Sequence, residues 1–481
     1  HIIINNYKID DIDYSYLPDE IRCNQISLDI IFICLPKDLI TYFKNIFSKS
    51  LDPDATIDGR WRGITICKWD KDDWGGGEYK LGNGKFSAAM DFTILEEGGK
   101  KQFKNDRWIN HGDRTSKIES FKFKKNSFTV KDETPWKDKD KWKGKLISNN
   151  TIQVKSSNNC KATLHRTEEI SFESYAPKNL LDYVDGVEND EKFTIPGLLT
   201  FPDGDKDKYP VMIMIVNSGC EYNMRNFTYG VDIKKEGVAT LELDNCKSRG
   251  LSRFNPIGAG NFNILTPWMG AADALHALKF LQKHPKVDPD KIGITGFSWG
   301  GQVALWTGLD IIRKSIVGDE SDFVLRVPYY PYCRYFDDPN YSKNKLHFFI
   351  GEKDSVPPIY CQNMVTTFNK LGFDMSIDVF PDAYHNFDDP YLDSKPKFEP
   401  RQWFVTDKCN LWIAKDYTRS WRFNNMRIEL DNYLDWNVSG DKFYKEYAKE
   451  CEKWGVKYGR DHEASKLAST KLIQLINQYL K

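Results

Sequence analysis

Residues 292–301 read IGITGFSWGG. The first four residues form an apolar run typical of a buried strand, and a helical pattern begins near Gln302. Between strand and helix, Gly296 and Gly300 flank Ser298 in the pattern Gly-x-Ser-x-Gly. A serine at such a turn lies on a strained backbone, and the glycines let strand and helix approach each other closely. The stretch therefore predicts a nucleophile elbow at Ser298.

The same alternation of strand and helix extends over residues 172–481. Apolar strands are predicted at Val211–Val216, Val238–Leu243, Ile292–Thr295, Val324–Tyr330, Leu346–Ile350 and Met375–Phe380, and helices at Met269–Leu281, Gln302–Leu309, Ile359–Leu371 and Glu463–Leu480. Continuous apolar strands that alternate with amphipathic helices are typical of a parallel sheet covered on both faces. We expect an α/β fold here, a doubly wound, mostly parallel α/β-hydrolase sheet with an insertion at about residues 399–455.

The residues before this domain have a different pattern. Residues 1–57 are expected to form a partly helical extension, with a helix near Leu39–Phe47. Residues 58–171 alternate short β-branched and aromatic segments with Gly, Asn and Asp turns, which predicts an antiparallel β sandwich or barrel. Six tryptophans lie in this module, at positions 61, 69, 74, 108, 136 and 142. These tryptophans could pack in the core of the module or form a surface on which sugars stack, and the sequence leaves both roles possible.

Positive and negative charges almost balance over the whole chain, but one segment is strongly basic. The formal net charge is −1, so overall charge does not indicate a nucleic-acid partner. Residues 99–146, however, contain fifteen Lys and Arg against seven Asp and Glu. A site for an anionic surface and a solvated loop face both fit this segment. The longest apolar runs are far shorter than the roughly 20 residues of a transmembrane helix.

A serine hydroxyl needs an adjacent base, and in this fold the partners follow in the order Ser, acid, His. After Ser298 the chain offers His347, His385 and His462. His347 lies within a predicted strand and His462 precedes the last helix, where packing and surface roles are expected. His385 follows the strand Met375–Phe380, at the sheet edge where active sites of α/β proteins are built. By elimination, His385 is the expected general base.

The acid should follow the preceding strand. The loop after Leu346–Ile350 offers Glu352 and Asp354, and Asp354 is the preferred orienting acid because Glu352 is closer to the strand end. Asp388 and Asp389 are interpreted as loop residues, because they lie so near His385 in sequence.

The oxyanion should be met by the backbone N–H of Trp299 and by an amide from the loop after Val211–Val216. Gly219 is the expected second donor, with Cys220 next, although a simple tight turn is the alternative. Trp268 and Tyr384 are candidate walls of the substrate pocket, and core packing fits Trp268 equally well.

The run Leu243–Gly250 (LDNCKSRG), the elbow, residues 350–354 (IGEKD) and residues 380–388 (FPDAYHNFD) together resemble the dienelactone hydrolase family, in particular its larger secreted members with a serine nucleophile. The resemblance covers roughly residues 195–390 and the C-terminal helix. It implies an ester or lactone substrate, small or carried by a polymer, with no metal and no organic cofactor. Position 298 is Ser, whereas the namesake enzymes use Cys.

The secreted relatives also suggest disulfide pairings among the ten cysteines: Cys67 with Cys160, Cys333 with Cys361 and Cys409 with Cys451. Cys220 and Cys246 could pair beside the site or stay reduced. Disulfides favour an oxidising compartment over a cytosolic enzyme with free thiols, so we expect a secreted or periplasmic protein whose signal peptide has been removed.

The expected function is thus a serine hydrolase that cleaves carboxylic esters or lactones, with no nucleic-acid partner and no transmembrane segment. Two alternatives remain open. The first is a serine peptidase of the prolyl-oligopeptidase type, in which the β module gates access. The second is a glycan-binding protein whose hydrolase domain is an inactive scaffold.

Overall fold

The computed structural model describes residues 3–4, 7–8, 55–68, 79–82, 85–107, 110–111, 114–115, 117–133, 139–157, 159–177, 180–184, 191–204, 206–222, 224–262, 264–337, 340–390, 392, 394–406, 408–423, 426–430 and 449–481. The chain divides into two compact units, residues 1–55 and 56–481. In the first unit only a short antiparallel pair, β1 (Ile3–Ile4) with β2 (Tyr7–Lys8), is described. The predicted helix near Leu39–Phe47 lies outside the described residues, and the predicted domain boundaries stay predictions.

The second unit contains the remaining elements. Its strands are β3 (Gly59–Lys68), β4 (Tyr79–Gly82), β5 (Lys85–Glu97), β6 (Lys100–Arg107), β7 (Asn110–His111), β8 (Arg114–Thr115), β9 (Lys117–Lys124), β10 (Ser127–Glu133), β11 (Lys139–Ser148), β12 (Thr151–Ser156), β13 (Lys161–Tyr175), β14 (Lys192–Thr200), β15 (Tyr209–Ile215), β16 (Ala239–Leu243), β17 (Val287–Phe297), β18 (Leu325–Tyr329), β19 (Tyr335–Phe336), β20 (Lys345–Gly351), β21 (Met375–Phe380), β22 (Lys397–Val405), β23 (Asn410–Ile413), β24 (Arg419–Phe423), β25 (Met426–Leu430) and β26 (Glu452–Tyr458). Its helices are α1 (Met224–Lys235), α2 (Pro267–Leu281), α3 (Trp299–Trp306), α4 (Asp310–Val317), α5 (Ile359–Lys370) and α6 (His462–Tyr479).

A mostly parallel sheet forms the centre of this unit. Its order is β21-β20-β18-β17-β15-β16, all parallel, and β14 adds antiparallel to β16. The side chains of β15 alternate between two cores. Ile213 packs with α2 on one face, whereas Met212 packs with α1 and α6 on the other. The predicted fold class, a doubly wound α/β-hydrolase sheet, is confirmed.

Antiparallel strands precede this sheet in sequence, as predicted. They continue the same sheet through the long strand β13. The C-terminal half of β13 pairs with β14, and the N-terminal half of β13 lies between β3 and β12 and pairs with both. The side chains of Trp61 in β3 and Trp142 in β11 are buried. The indole N–H of Trp61 donates to the carbonyl of Ile57, and that of Trp142 to Asp132. These two tryptophans are therefore core residues; the side chains of the other four lie outside the described residues.

Four disulfide bonds join Cys67 to Cys160, Cys220 to Cys246, Cys333 to Cys361 and Cys409 to Cys451. These are the three pairings that the resemblance suggests, together with the pair that the sequence left open. Cys23 and Cys34 lie outside the described residues. Among the residues that the structure describes, no helix combines the length and the apolar character needed to cross a membrane.

Candidate active site

The loops at the carboxyl ends of the parallel strands carry the predicted catalytic residues. Ser298 links β17 to α3 with a φ of 55°, a left-handed conformation that a residue with a Cβ adopts only under strain. Glycine is required on both sides of it. A Cβ on Gly296 would lie 2.2 Å from the carbonyl oxygen of Gly300, and one on Gly300 would lie 2.3 Å from that of Val216. The local sequence therefore forces the serine out at the sheet edge.

Ser298, His385 and Asp354 form one hydrogen-bonded line. The Oγ of Ser298 lies 3.0 Å from Nε2 of His385, and Nδ1 of His385 lies 2.8 Å from Oδ2 of Asp354. Asp354 follows β20, and its carboxylate is shielded from solvent, with Oδ1 accepting the backbone N–H of Val356 at 2.8 Å. A carboxylate at Nδ1 and a hydroxyl at Nε2 of one imidazole is the arrangement that the predicted catalytic triad requires.

The competing candidates have other contacts. Glu352 is exposed, and its carboxylate accepts the backbone N–H of Asp382 at 3.1 Å, so it bonds to the turn that precedes His385. His347 is buried in β20, with Nδ1 2.6 Å from Ser376 and Nε2 3.0 Å from Asp378. His462 is exposed at the start of α6. None of these three contacts Ser298 among the described hydrogen bonds.

The predicted oxyanion donors differ in their present bonding. Trp299 is the first residue of α3, so its backbone N–H has no acceptor within the helix. The N–H of Gly219 instead donates to Oδ1 of Asn217 at 3.0 Å, and that of Cys220 donates to the carbonyl of Asn217 at 3.2 Å. The loop thus has the hydrogen bonds of a tight turn. Gly219 could serve an oxyanion only after leaving the Asn217 side chain, and all three donors stay predictions.

The two predicted pocket residues lie in different environments. Trp268 is buried in the core that α2 shares with the sheet, edge to face with Trp306 at a centroid distance of 5.6 Å. The guanidinium of Arg419 lies 5.2 Å from its ring centroid. Tyr384 is half-buried and directly precedes His385. Core packing accounts for the Trp268 contacts, and the pocket role of Tyr384 stays a prediction.

A buried polar cluster behind His385 was missed by the sequence analysis. Asp388 and Asp389 are not exposed loop residues, because only 2% and 7% of their surface is accessible. The Tyr330 hydroxyl donates to Asp388 at 2.6 Å and accepts from Arg225 at 2.8 Å, and its ring packs edge-on against His385 at 4.6 Å. Desolvation raises the pKa of Asp388, although the Arg225 guanidinium opposes the shift.

Arg225 connects this cluster to both catalytic loops. Its guanidinium lies 4.3 Å from the ring centroid of Phe297, the residue before Ser298, and donates to the side chain of Asn386, the residue after His385. The interpretation of Asp388 and Asp389 as loop residues gave no indication of this contact. The only signal in the sequence is three polar residues, Asn386, Asp388 and Asp389, beside the predicted base.

Tyr330→Phe should therefore destabilise the protein more than it impairs turnover. The substitution removes the hydroxyl that donates to the buried Asp388 carboxyl and accepts from Arg225, so the free energy of unfolding should fall by about 1–3 kcal/mol. The phenyl ring still packs against His385, so kcat measured below the unfolding transition should fall less than about tenfold. Urea unfolding and ester kinetics measure the two effects.

The matched control is Tyr335→Phe. The Tyr335 hydroxyl also accepts a hydrogen bond, from Asn363 at 2.8 Å, but both residues are only half-buried. Water can replace the missing hydroxyl as the partner of Asn363, so the free energy of unfolding should change by less than about 1 kcal/mol. If the two variants were equally destabilised, the buried hydrogen bonds of Tyr330 would contribute no more to stability than the half-buried one of Tyr335.

Comparisons with known proteins find a family that is similar to the part of the chain that carries this site. Residues 267–403, which contain Ser298, Asp354 and His385, match the model of the dienelactone hydrolase family. No curated protein matches the chain by sequence.

Solved structures that the chain resembles include a dienelactone hydrolase-like promiscuous phosphotriesterase, P91, from metagenomic libraries (12% identity, 65% of this chain and 98% of that chain, TM-score 0.39). Another is the thermophilic esterase Est2 of the Planctomycetes species Thermogutta terrifontis (15% identity, 45% and 83%, TM-score 0.32). A puromycin hydrolase is also similar (12% identity, 62% and 47%, TM-score 0.35). Residues 267–403 are thus similar to the dienelactone hydrolase family, and the sheet that carries them has the topology of an α/β-hydrolase fold.

Proposed function

We propose that the protein is a serine esterase that cleaves carboxylic esters or lactones through an acyl-enzyme on Ser298. One observation carries the proposal: the hydroxyl of Ser298, the imidazole of His385 and the carboxylate of Asp354 are joined by contacts of 3.0 and 2.8 Å. A serine hydroxyl becomes a competent nucleophile only when a base can take its proton as it attacks. His385 is the one histidine that the described contacts bring to Ser298.

The proposed reaction has two halves. Ser298 Oγ attacks the carbonyl carbon while His385 Nε2 takes the hydroxyl proton, and the carbonyl oxygen becomes an oxyanion near the N–H of Trp299. His385 then returns that proton to the departing alcohol, which leaves an ester of Ser298. In the second half water attacks this ester, His385 takes the water proton and gives it to Ser298, and the carboxylic acid departs.

Asp354 has the proposed role of holding this proton transfer in place. Its shielded carboxylate accepts the Nδ1–H of His385, so Nε2 is left as the acceptor that faces Ser298. The same carboxylate stabilises the imidazolium that forms after the proton moves. The bond to the Val356 N–H keeps Asp354 from turning away.

We also place the protein outside the cytoplasm, in a secreted or periplasmic location. Four disulfide bonds within the described residues support this, because such bonds persist in oxidising compartments and are rare in the cytosol. Substrates would then be small extracellular esters or acyl groups on a polymer.

A fluorophosphonate probe tests the proposed nucleophile. Such probes phosphonylate a serine only where a base activates it, so we expect one adduct per chain, on the peptide that contains Ser298. The Ser298→Ala variant should take up no probe. Labelling of a different serine, or none at all, would refute the assignment, and the absence of labelling would favour a glycan-binding protein with an inactive scaffold. A parallel panel of esters and peptide amides separates the esterase from a peptidase.

A further inference from the structure

The outward face of the antiparallel strands β9–β12 is a continuous array of lysines. Exposure alternates along β11: Lys139, Lys141, Lys143 and Lys145 are exposed, whereas Asp140, Trp142 and Gly144 between them are buried. Alternate residues of a strand lie on one face and are about 6.8 Å apart. The four lysines therefore form a line about 20 Å long.

A second line of lysines crosses the first at Lys143. In the strand register Lys143 faces Lys155 of β12, and Lys155 faces Lys161 of β13. On the other side Lys143 faces Thr129 of β10, which in turn faces Lys122 of β9. Neighbouring strands are about 4.8 Å apart, so this row spans about 19 Å. All four lysines of the row are exposed. We call the two crossed lines the lysine face.

Charge on the lysine face is largely uncompensated. Lys139 pairs with Glu119 at 2.7 Å. No carboxylate of the described residues lies within 4.0 Å of the ammonium groups of Lys141, Lys143, Lys155 or Lys161.

The acidic residues nearest in sequence are turned away. Asp132 in β10 and Asp140 in β11 are both buried on the opposite side of the sheet. Like charges directly opposite each other destabilise a sheet. Repulsion among these lysines therefore destabilises the folded protein, so the stability of the sheet does not explain why they are there.

We propose that the lysine face binds a linear acidic polysaccharide. Lysine ammoniums are point charges that neutralise anionic groups without demanding a fixed bidentate geometry. Two lines of them, each about 20 Å long, suit an extended chain that carries anionic groups at regular intervals. The lysine face contains none of the proposed catalytic residues, so this proposal does not rest on the proposed esterase activity.

Other polyanions fit the face less well. Single-stranded nucleic acid is held by aromatic side chains on which its bases stack, and the outward positions of β9–β12 include no aromatic residue. Duplex DNA is read by an element that enters a groove, whereas this face is the flat side of a sheet. Stable membrane binding adds inserted apolar groups to the charge. The lysine face is extended by only two exposed apolar residues, Ile147 beyond Lys145 and Ile66 opposite Lys161.

Binding to heparin and to polygalacturonate tests the proposal, with neutral dextran as the control polymer. The full-length Ser298→Ala protein is used so that turnover plays no part. In that background the triple variant Lys141→Gln, Lys143→Gln, Lys155→Gln should bind both acidic polymers at least about tenfold more weakly at 50 mM salt. Affinity of the parent should fall as salt rises. The matched triple, Lys343→Gln, Lys370→Gln, Lys466→Gln, removes the same charge from exposed positions elsewhere and should bind like the parent.

Three outcomes would overturn the proposal: no binding to either acidic polymer, equal weakening in both triples, or tighter binding to phosphatidylserine vesicles or to a 20-base-pair DNA duplex. Because the lysines repel one another, the triple variant should melt at or above the parent temperature. If it fails to fold, Lys143→Gln alone should weaken heparin binding about two- to threefold. An unchanged affinity in that variant would also overturn the proposal.

Discussion

Ser298→Ala should lower kcat for p-nitrophenyl esters by about 10⁴-fold or more, leaving only the rate that binding and oxyanion donors supply. The expected effect is large because without the hydroxyl no acyl-enzyme can form. Stability should hardly change. Alanine and serine both carry a Cβ, so the strain at φ 55° is the same, and the substitution removes a single described side-chain hydrogen bond, the one of 3.0 Å to His385. The free energy of unfolding should change by less than about 1.5 kcal/mol.

The matched control is Ser315→Ala. The Ser315 hydroxyl donates to the carbonyl of Ile312 within α4, and this helix does not carry any of the three proposed catalytic residues. Its kcat should equal that of the parent. Parental ester turnover by Ser298→Ala, after purification that excludes contaminating esterase, would remove Ser298 from the mechanism.

The parallel sheet could be predicted because its sequence signals are local and agree with one another. Met375–Phe380 is a strand with the predicted bounds, and α2 begins two residues before the predicted Met269. Thr266, whose hydroxyl accepts the N–H of Met269, and Pro267 at the first turn explain that earlier start. The elbow was predictable for a similar reason: its glycines are required within a few residues of Ser298.

What the sequence analysis missed depends on distant contacts. Strand β11 was not predicted, because its exposed lysines obscured an alternation whose buried positions include Trp142. Strand β13 continues to Tyr175, and its residues from Thr167 onward pair with β14, a partner that no local pattern indicates. Arg225 meets Tyr330 across 105 residues of chain, and no local pattern encodes such a contact. The hydrogen-bonded turn at Asn217 likewise depends on side-chain geometry that the sequence does not specify.

Asp354→Asn should lower kcat by about 10⁴-fold while the fold persists. The carboxylate accepts the Nδ1–H of His385 at 2.8 Å, which leaves Nε2 unprotonated and facing Ser298. An asparagine amide can donate to Nδ1 instead, and the ring then carries its proton on Nε2. That tautomer cannot take the proton of Ser298. The decrease is expected in kcat rather than in KM, because Asp354 is shielded from solvent and is not expected to touch substrate.

Glu352→Gln is the control that separates this role from a general change in charge. It removes one negative charge two residues away, but Glu352 is exposed and its bond to the Asp382 N–H survives in glutamine. We expect kcat within about threefold of the parent, since an exposed charge is screened by solvent. If Glu352→Gln were the inactive variant and Asp354→Asn the active one, the orienting acid would have to be reassigned to Glu352. The 2.8 Å contact between Asp354 and His385 makes the opposite result the expected one.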